Sequence, residues 1–342
     1  MRRIRAIVYG VGVMGSIMTR FMLEKDIEIV GAVARSPEKV GRDLGEVAAL
    51  GFSTGITVVD EVKPLLEDGN ADIAVVAVGS YLNVMEKHFK LCLEHGVNVI
   101  TIEEESFYPW RTAPGHAAEL DRVARENGVT ITGSGQQDIY WMNIVSLLMG
   151  AAHRIDSVVG KTSWNVDDYG PNVAAEVHVG NTPTQFERFV SEEGWPSFVV
   201  QNTLDALVAS VGLTVAKVTP SVAPVLAEGD VRCESLGSTI PAGSVIGVVD
   251  GATFETREGP SFSFEMVGRL YREGEADYNE WVIKGEPAEL RLSNDRVATP
   301  FTTCAQVVNR IPDVINAEPG FVTVDRLPQL RYRAFPLGSY LD

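Results

Sequence analysis

Along the first 135 residues, short apolar runs alternate with longer stretches whose apolar residues recur every three or four positions. Residues 4–9 form the first run. Residues 13–23 follow, with Met14, Ile17, Met18, Phe21 and Met22 at helical spacing. Further runs at 27–34, 56–59, 73–78, 97–102 and 129–132 bring the predicted strands to six. Helices are expected from near residue 61, with Asp60 as its cap, over 83–95, closed by Gly96, and over 117–127, closed by Gly128. The run Ile73-Ala74-Val75-Val76-Ala77-Val78 is apolar on both faces, as a central parallel strand is. Strands alternating with helices predict an α/β fold built on a doubly wound parallel sheet.

Beyond residue 135 the pattern changes. A long apolar stretch over 139–152 reads as a helix crossing into a second domain. Strand-like alternation then occupies 158–166, 245–256, 262–271 and 281–292. Phe262, Phe264, Met266, Gly268 and Leu270 share one face of such a strand. With helices over 184–193 and 198–211, this is an α+β domain on a mixed or antiparallel sheet. The predicted organisation is a first domain over 1–135, a second over 136–298, and a segment over 299–342, with a helix at 302–311, returning to the first.

Composition adds limits to this frame. The chain has 342 residues, 45% of them hydrophobic and 22% charged, enough for two real cores. Lys and Arg number 29 against 46 Asp and Glu, a net charge of −17. Such a surface repels phosphate backbones and anionic lipid, so neither nucleic acid nor a membrane surface is an expected partner. No run approaches the ~18 apolar residues of a membrane span, and the run at 6–10 is too short for a signal sequence. Cys92, Cys233 and Cys304 are far apart and lack metal-ligand spacing, so neither disulfides nor a metal site is expected, and the chain reads as cytoplasmic.

Gly10-Val11-Gly12-Val13-Met14-Gly15 is a GxGxxG loop directly after a strand and directly before a helix. Gly10 allows the tight turn, Gly12 lets a pyrophosphate approach the backbone, and Gly15 lets helix and strand pack closely. The N–H groups of Val13 and Met14 open the helix and face such an anion. This context predicts a dinucleotide site of the Rossmann type. An NAD site usually carries an acid at the tip of the second strand. Here the tip reads Ala34-Arg35-Ser36-Pro37-Glu38-Lys39, and Arg35, Ser36 and Lys39 offer donors to a 2′-phosphate. NADP is therefore the expected cofactor, with NAD also possible. The fourth strand ends in Val78-Gly79-Ser80, small enough for a nicotinamide ribose to lie against it.

The fifth strand ends in Thr101-Ile102-Glu103-Glu104-Glu105, followed by Phe107, Tyr108, Pro109 and Trp110. Three carboxylates in succession repel one another, and in an extended chain Glu104 points opposite to Glu103 and Glu105. Tyr140 and Trp141 at the crossover, and Trp164 and Tyr169 beyond it, add aromatic surface. A carboxylate among aromatic walls can accept a proton or hold an ammonium.

The glycine loop, this strand end with its Tyr108-Pro109-Trp110, the Gly133-Ser134-Gly135-Gln136-Gln137-Asp138 crossover and the terminal Val307-Val308-Asn309-Arg310-Ile311-Pro312 resemble 2,4-diaminopentanoate dehydrogenases and the native amine dehydrogenases, relatives in fold of dihydrodipicolinate reductase. The resemblance runs through nearly the whole chain. It implies NAD(P)H-dependent reductive amination of a small ketone or aldehyde with ammonia, and the reverse oxidative deamination. It also implies that the catalytic glutamate is Glu104, with Glu105 as the reserve, that Trp141 is a pocket aromatic, and that the chain is a homodimer. The paired histidines of dihydrodipicolinate reductases and the Glu-Lys-Pro signature of sugar oxidoreductases are both missing.

The remaining candidates follow from position. Glu103 and Asn309 are expected near the cofactor, Asn309 at the nicotinamide amide. Phe107, Tyr140, Trp164, Thr303 and His178, the last read on an alternating strand, are expected to line the substrate. Asp167-Asp168 reads as turn chemistry before Gly170-Pro171. Competing readings are a dehydrogenase of another C=O or C=N substrate, and a sensor that binds NADP without turnover.

Overall fold

The computed structural model describes residues 2–342. Strand β1 (Arg5–Tyr9) puts Ala6 and Val8 on one face and Ile7 and Tyr9 on the other, and all four are buried. A strand buried on both faces needs a layer of helices on each side. The chain supplies them as α1 (Val13–Glu24), β2 (Glu28–Val33), α2 (Leu44–Val47), β3 (Val58–Val59), α3 (Lys63–Glu67), β4 (Ile73–Val76), α4 (Leu82–Glu94), β5 (Asn98–Thr101), α5 (Pro114–Glu126) and β6 (Thr130–Gly133). Met18 and Met22 of α1 join Ala6 and Val8 in one core. Phe89 of α4 and Leu120 of α5 join Ile7 and Tyr9 in the other. The third helix begins at Lys63 with Val62, not Asp60, at its cap position. Pro64 fits the first turn, where its missing N–H costs nothing.

The crossover is not a plain α-helix. Residues Gln137–Asn143 form a π-helix, and only then does α6 (Ile144–Met149) begin. Asn143 Nδ2 donates to the Asp138 backbone oxygen at 2.7 Å and to its Oδ1 at 2.6 Å, tying together residues one wide turn apart.

The second unit contains β7 (Arg154–Asn165), α7 (Pro171–Glu176), α8 (Pro183–Glu193), α9 (Phe198–Ser210), β8 (Val215–Leu226), the hairpin β9 (Val231–Cys233) and β10 (Ser238–Ile240), β11 (Val245–Thr256), β12 (Ser261–Arg269), β13 (Tyr278–Glu286) and β14 (Glu289–Asp295). Its six-stranded sheet runs β14-β13-β7-β12-β11-β8, with β7 and β12 parallel and the other pairs antiparallel. The apolar run at 281–292 is thus two strands of a hairpin, turned at Pro287-Ala288. Strand β8 escapes the sequence pattern because Pro220 and Pro224 interrupt it. It lies at the sheet edge, where proline is tolerated. His178 lies in the turn after α7, at φ 60°, and not on a strand.

Helix α10 (Thr299–Asn316) runs through Pro312. The chain then adds β15 (Gly320–Phe321), parallel to β6, which completes a seven-stranded sheet in the order β15-β6-β5-β4-β1-β2-β3. One compact unit comprises the chain through Asn143 together with Pro300–Asp342, and the other comprises Ile144–Thr299.

Candidate active site

The glycine loop has the shape its sequence implies. A Cβ on Gly10 would lie 2.2 Å from the Ala77 carbonyl oxygen, and one on Gly15 would lie 1.8 Å from the Gly10 oxygen. A Cβ on Gly12 would meet nothing within 4 Å. Gly12 caps α1 without a side-chain bond, and the first turn holds no acid. The N–H groups around exposed Val13 and half-buried Met14 therefore open onto uncluttered space at the positive helix end. That arrangement fits a diphosphate.

Around this cradle, buried Ala34 prolongs β2 by donating its N–H to the Val59 oxygen at 2.9 Å. Arg35 is exposed at the tip and donates from Nη2 to His88 Nε2 at 3.0 Å. Lys39 Nζ reaches back to the Val11 carbonyl at 2.9 Å, over the glycine loop. The Ser36 hydroxyl donates to Glu38. Past β4, Val78 is exposed while Gly79 and Ser80 are half-buried. Gly79 lies close under Met85, with a Cβ there only 3.2 Å from the sulfur.

The acidic run does not stay extended, so its side chains do not simply alternate. Glu104 turns into helical geometry (φ −69°, ψ −33°) and opens a 3-10 turn over Glu105–Phe107. Glu103, 1% exposed, folds back on that turn and accepts from Glu105 N at 3.1 Å, from Ser106 N at 2.8 Å and from the Ser106 hydroxyl. Burial pushes its carboxyl up to about 8, with the neighbouring Glu104 and Glu105 charges adding to the effect. Glu105 Oε2 accepts from Leu82 N at 2.9 Å and so caps α4. Glu104 is half-buried beside them. A Cβ on Gly133 would collide with the Ser106 backbone at 2.4 Å, so the end of β6 presses directly on this acidic turn. Phe107 is buried beneath the turn.

Helix α10 closes the same end of the sheet. Thr302 Oγ1 donates to Gln136 Oε1 at 2.8 Å, Thr303 packs on Gly135, and Gln306 Oε1 accepts from Ile139 N at 2.7 Å. Below them Arg310 and Asp138, both side chains 0% exposed, meet through Nε–Oδ2 at 2.9 Å and Nη2–Oδ1 at 2.6 Å. Ser134 Oγ donates to the same Asp138 carboxylate at 2.8 Å, and Arg310 Nη1 also reaches Asp313 at 3.2 Å. The buried Asn309 Oδ1 lacks a protein donor. Trp141 is buried and Tyr140 half-buried on the π-helix. Sequence reading missed the Arg310–Asp138 pair. Its signal was a charge inside the apolar helical run at 302–311 and another at the head of the run at 139–152.

In the second unit, Trp164 lies flat on Gly268, where a Cβ would be 2.3 Å from the ring, and meets Tyr169 edge-on at 5.2 Å. His178 sits among Phe186, Phe189 and Trp195, with ring centroids 5.7, 4.2 and 6.3 Å away. Burial lowers its pKa. Asp167 accepts from the backbone of Glu234 and Ser235 in the β9–β10 hairpin, a long-range contact, while Asn165 Oδ1 caps the local 3-10 turn by accepting from Asp167 N. No group of metal-binding side chains occurs among the described residues.

A parallel sheet with this glycine cradle at its carboxyl end, joined to a mixed-sheet unit, defines a Rossmann-type oxidoreductase that takes a dinucleotide of the NAD(P) class. Residues 141–334 match the 2,4-diaminopentanoate dehydrogenase C-terminal domain, and residues 4–102 match the dihydrodipicolinate reductase N-terminus. The chain belongs to the 2,4-diaminopentanoate dehydrogenase family. It is 29% identical to the 2,4-diaminopentanoate dehydrogenase of Acetoanaerobium sticklandii, over 96% of this chain and 94% of that one. Among solved structures, the amine dehydrogenase from Mycobacterium smegmatis is 52% identical, covers 98% of both chains and superposes with a TM-score of 0.94. The myo-inositol 2-dehydrogenase of Lactobacillus plantarum shares the fold, with a TM-score of 0.60 at 13% identity over 95% of this chain and 93% of that one.

Proposed function

We propose that the protein is an NAD(P)H-dependent amine dehydrogenase that aminates small ketones or aldehydes with free ammonia and runs the reverse oxidative deamination. The observation that carries this reading is the 52% identity, across 98% of both chains, to a structure described as an amine dehydrogenase. When bound, the reduced dinucleotide supplies the hydride equivalent that reaches the substrate carbon.

The chain's own residues do the rest. Glu104 orients ammonia, takes protons as the carbinolamine collapses, and stabilises the cationic iminium. Glu103, neutral over much of the working range, adds little negative charge beside it. Trp141 and Tyr140 limit the space to a small, mostly apolar group. The Arg310 guanidinium is engaged by Asp138 and Asp313, so it is not available to a substrate carboxylate, and short aliphatic carbonyl compounds fit better than keto acids. NADP preference is supported by Arg35 and Lys39 beside the glycine loop and by the lack of an acid at the β2 tip. A cytoplasmic homodimer completes the reading, and the free, buried Cys92, Cys233 and Cys304 suit a reducing compartment.

The test is to mix the protein with NADPH, ammonium and a panel of carbonyl compounds and follow loss of reduced-cofactor absorbance. Turnover is expected with short aliphatic ketones or aldehydes, and only when ammonium is present. Glu104→Gln should lower that turnover about 10²-fold or more while leaving NADPH affinity near that of the parent. Glu103→Gln and Glu105→Gln should be far milder. Reduction of carbonyls without ammonia, or full activity in all three variants, would overturn the amine reading.

A further inference from the structure

Arg35 is an exposed side chain at a strand tip, and a long flexible guanidinium in that position ordinarily loses much of its rotamer freedom when it grips a phosphate. Here it is held in advance. His88, on the buried side of α4, contacts two elements at once: its Nε2 faces Arg35 Nη2 at 3.0 Å, and its Nδ1 faces the Tyr9 hydroxyl on β1 at 2.7 Å. The Tyr9 and His88 rings also meet edge-on, with centroids 5.5 Å apart.

A guanidinium only donates, so Nε2 must be the accepting nitrogen. The ring proton therefore sits on Nδ1 and is donated to the tyrosine oxygen. Burial, then the nearby Arg35 and Lys87 charges, lowers the His88 pKa and keeps the ring in this neutral form. Tyr9, itself buried with its pKa raised by burial, stays a neutral phenol. The chain Tyr9–His88–Arg35 thus runs from the sheet core to the surface, fixing one N–H of the guanidinium. The other N–H groups remain to meet an anion.

We propose that His88 is a specificity-determining positioning residue: by holding the Arg35 guanidinium at the tip of β2, it sets the preference for a 2′-phosphorylated dinucleotide over its unphosphorylated form. The advantage is preorganisation, because the ordering cost falls on folding and not on binding. This inference rests on the assignment of Arg35 to the 2′-phosphate.

The experiment is a titration of NADPH and NADH against the full-length protein and its variants, reading the ratio of the two dissociation constants. His88→Phe keeps an aromatic ring but removes both hydrogen bonds. It should weaken NADPH binding about tenfold, the scale of one hydrogen bond to a charged group, and change NADH binding far less. His88→Gln places an amide oxygen near the Nε2 position and should restore most of the ratio. Adding His88→Phe to Arg35→Ala should bring no further loss of NADPH selectivity.

If Arg35→Ala collapses the ratio while His88→Phe leaves it unchanged, this inference fails and the cofactor assignment stands. If Arg35→Ala itself leaves the ratio unchanged, the cofactor assignment fails and this inference with it. Equal losses for both cofactors in His88→Phe would mark a purely structural role and also overturn the proposal. Should His88→Phe not fold, Tyr9→Phe, which deletes only the outer hydrogen bond, reads the same ratio with a smaller expected change.

Discussion

Glu103, Glu104 and Glu105 are chemically identical neighbours that the backbone turn sends to three different places. Glu103 is the costly one. Its three N–H and O–H donors favour the carboxylate, yet removal from water outweighs them and pushes its pKa up to about 8 from an ordinary 4.5. Between those two values the folded chain holds a proton that the unfolded chain has released, so stability falls as pH rises through that window. Glu103→Gln removes the titration. Its melting temperature relative to the parent should rise by roughly 3 °C or more between pH 5 and pH 8.5. Thermal denaturation across that range checks this, and parallel curves for the two proteins would exclude it. Glu105 has the opposite role, since its charge satisfies an N–H at the start of α4.

Helix α10 is tied to the crossover π-helix by a ladder of polar contacts from Thr302 and Gln136 down to Arg310 and Asp138. A dehydrated ion pair adds little net stability over a well-packed apolar pair, but removing one partner strands the other charge in the core. Arg310→Met should therefore destabilise the protein by about 3–5 kcal/mol, and Arg310→Met with Asp138→Leu should recover a good part of it. Urea denaturation measures both, and a single-variant loss under about 1 kcal/mol would contradict the argument. The same ladder sets the wide π turn on which Tyr140 and Trp141 stand.

For the whole molecule, the −17 net charge keeps copies apart at long range, so any self-association must come from a specific face. The second sheet has two unlike faces. Its inner face buries Phe254, Phe264 and Trp281, with α9 packed on β11 and β12. Lys161, Glu265, Thr253 and Glu255 stand exposed on the outer face, where Lys161 pairs with Glu265 at 3.1 Å and Lys217 with Glu255 at 3.2 Å. The homodimer of the proposed function predicts twice the chain mass in light scattering at micromolar concentration. A single-chain mass would remove it.

What the sequence determined by itself is whatever depends on residues near one another in the chain. The glycine loop works within six residues of turn and helix start, the alternation of apolar runs defines the parallel sheet, and a missing acid after β2 is visible at a glance. The chain could also be read as far as an acidic cluster at the end of β5. Tertiary structure alone decided which glutamate turns inward and which caps α4, because that turn is shaped by β6 pressing on Ser106 and by the N-terminus of a helix 23 residues earlier. It alone brought Asp138 to Arg310 across 172 residues, paired β15 with β6, and joined Tyr9, His88 and Arg35 from three separate elements. Hydrophobic period and turn chemistry are local forces and leave their mark on the sequence. The pairing of buried polar groups is a requirement of the packed core, and it is met by whichever residues the fold brings together.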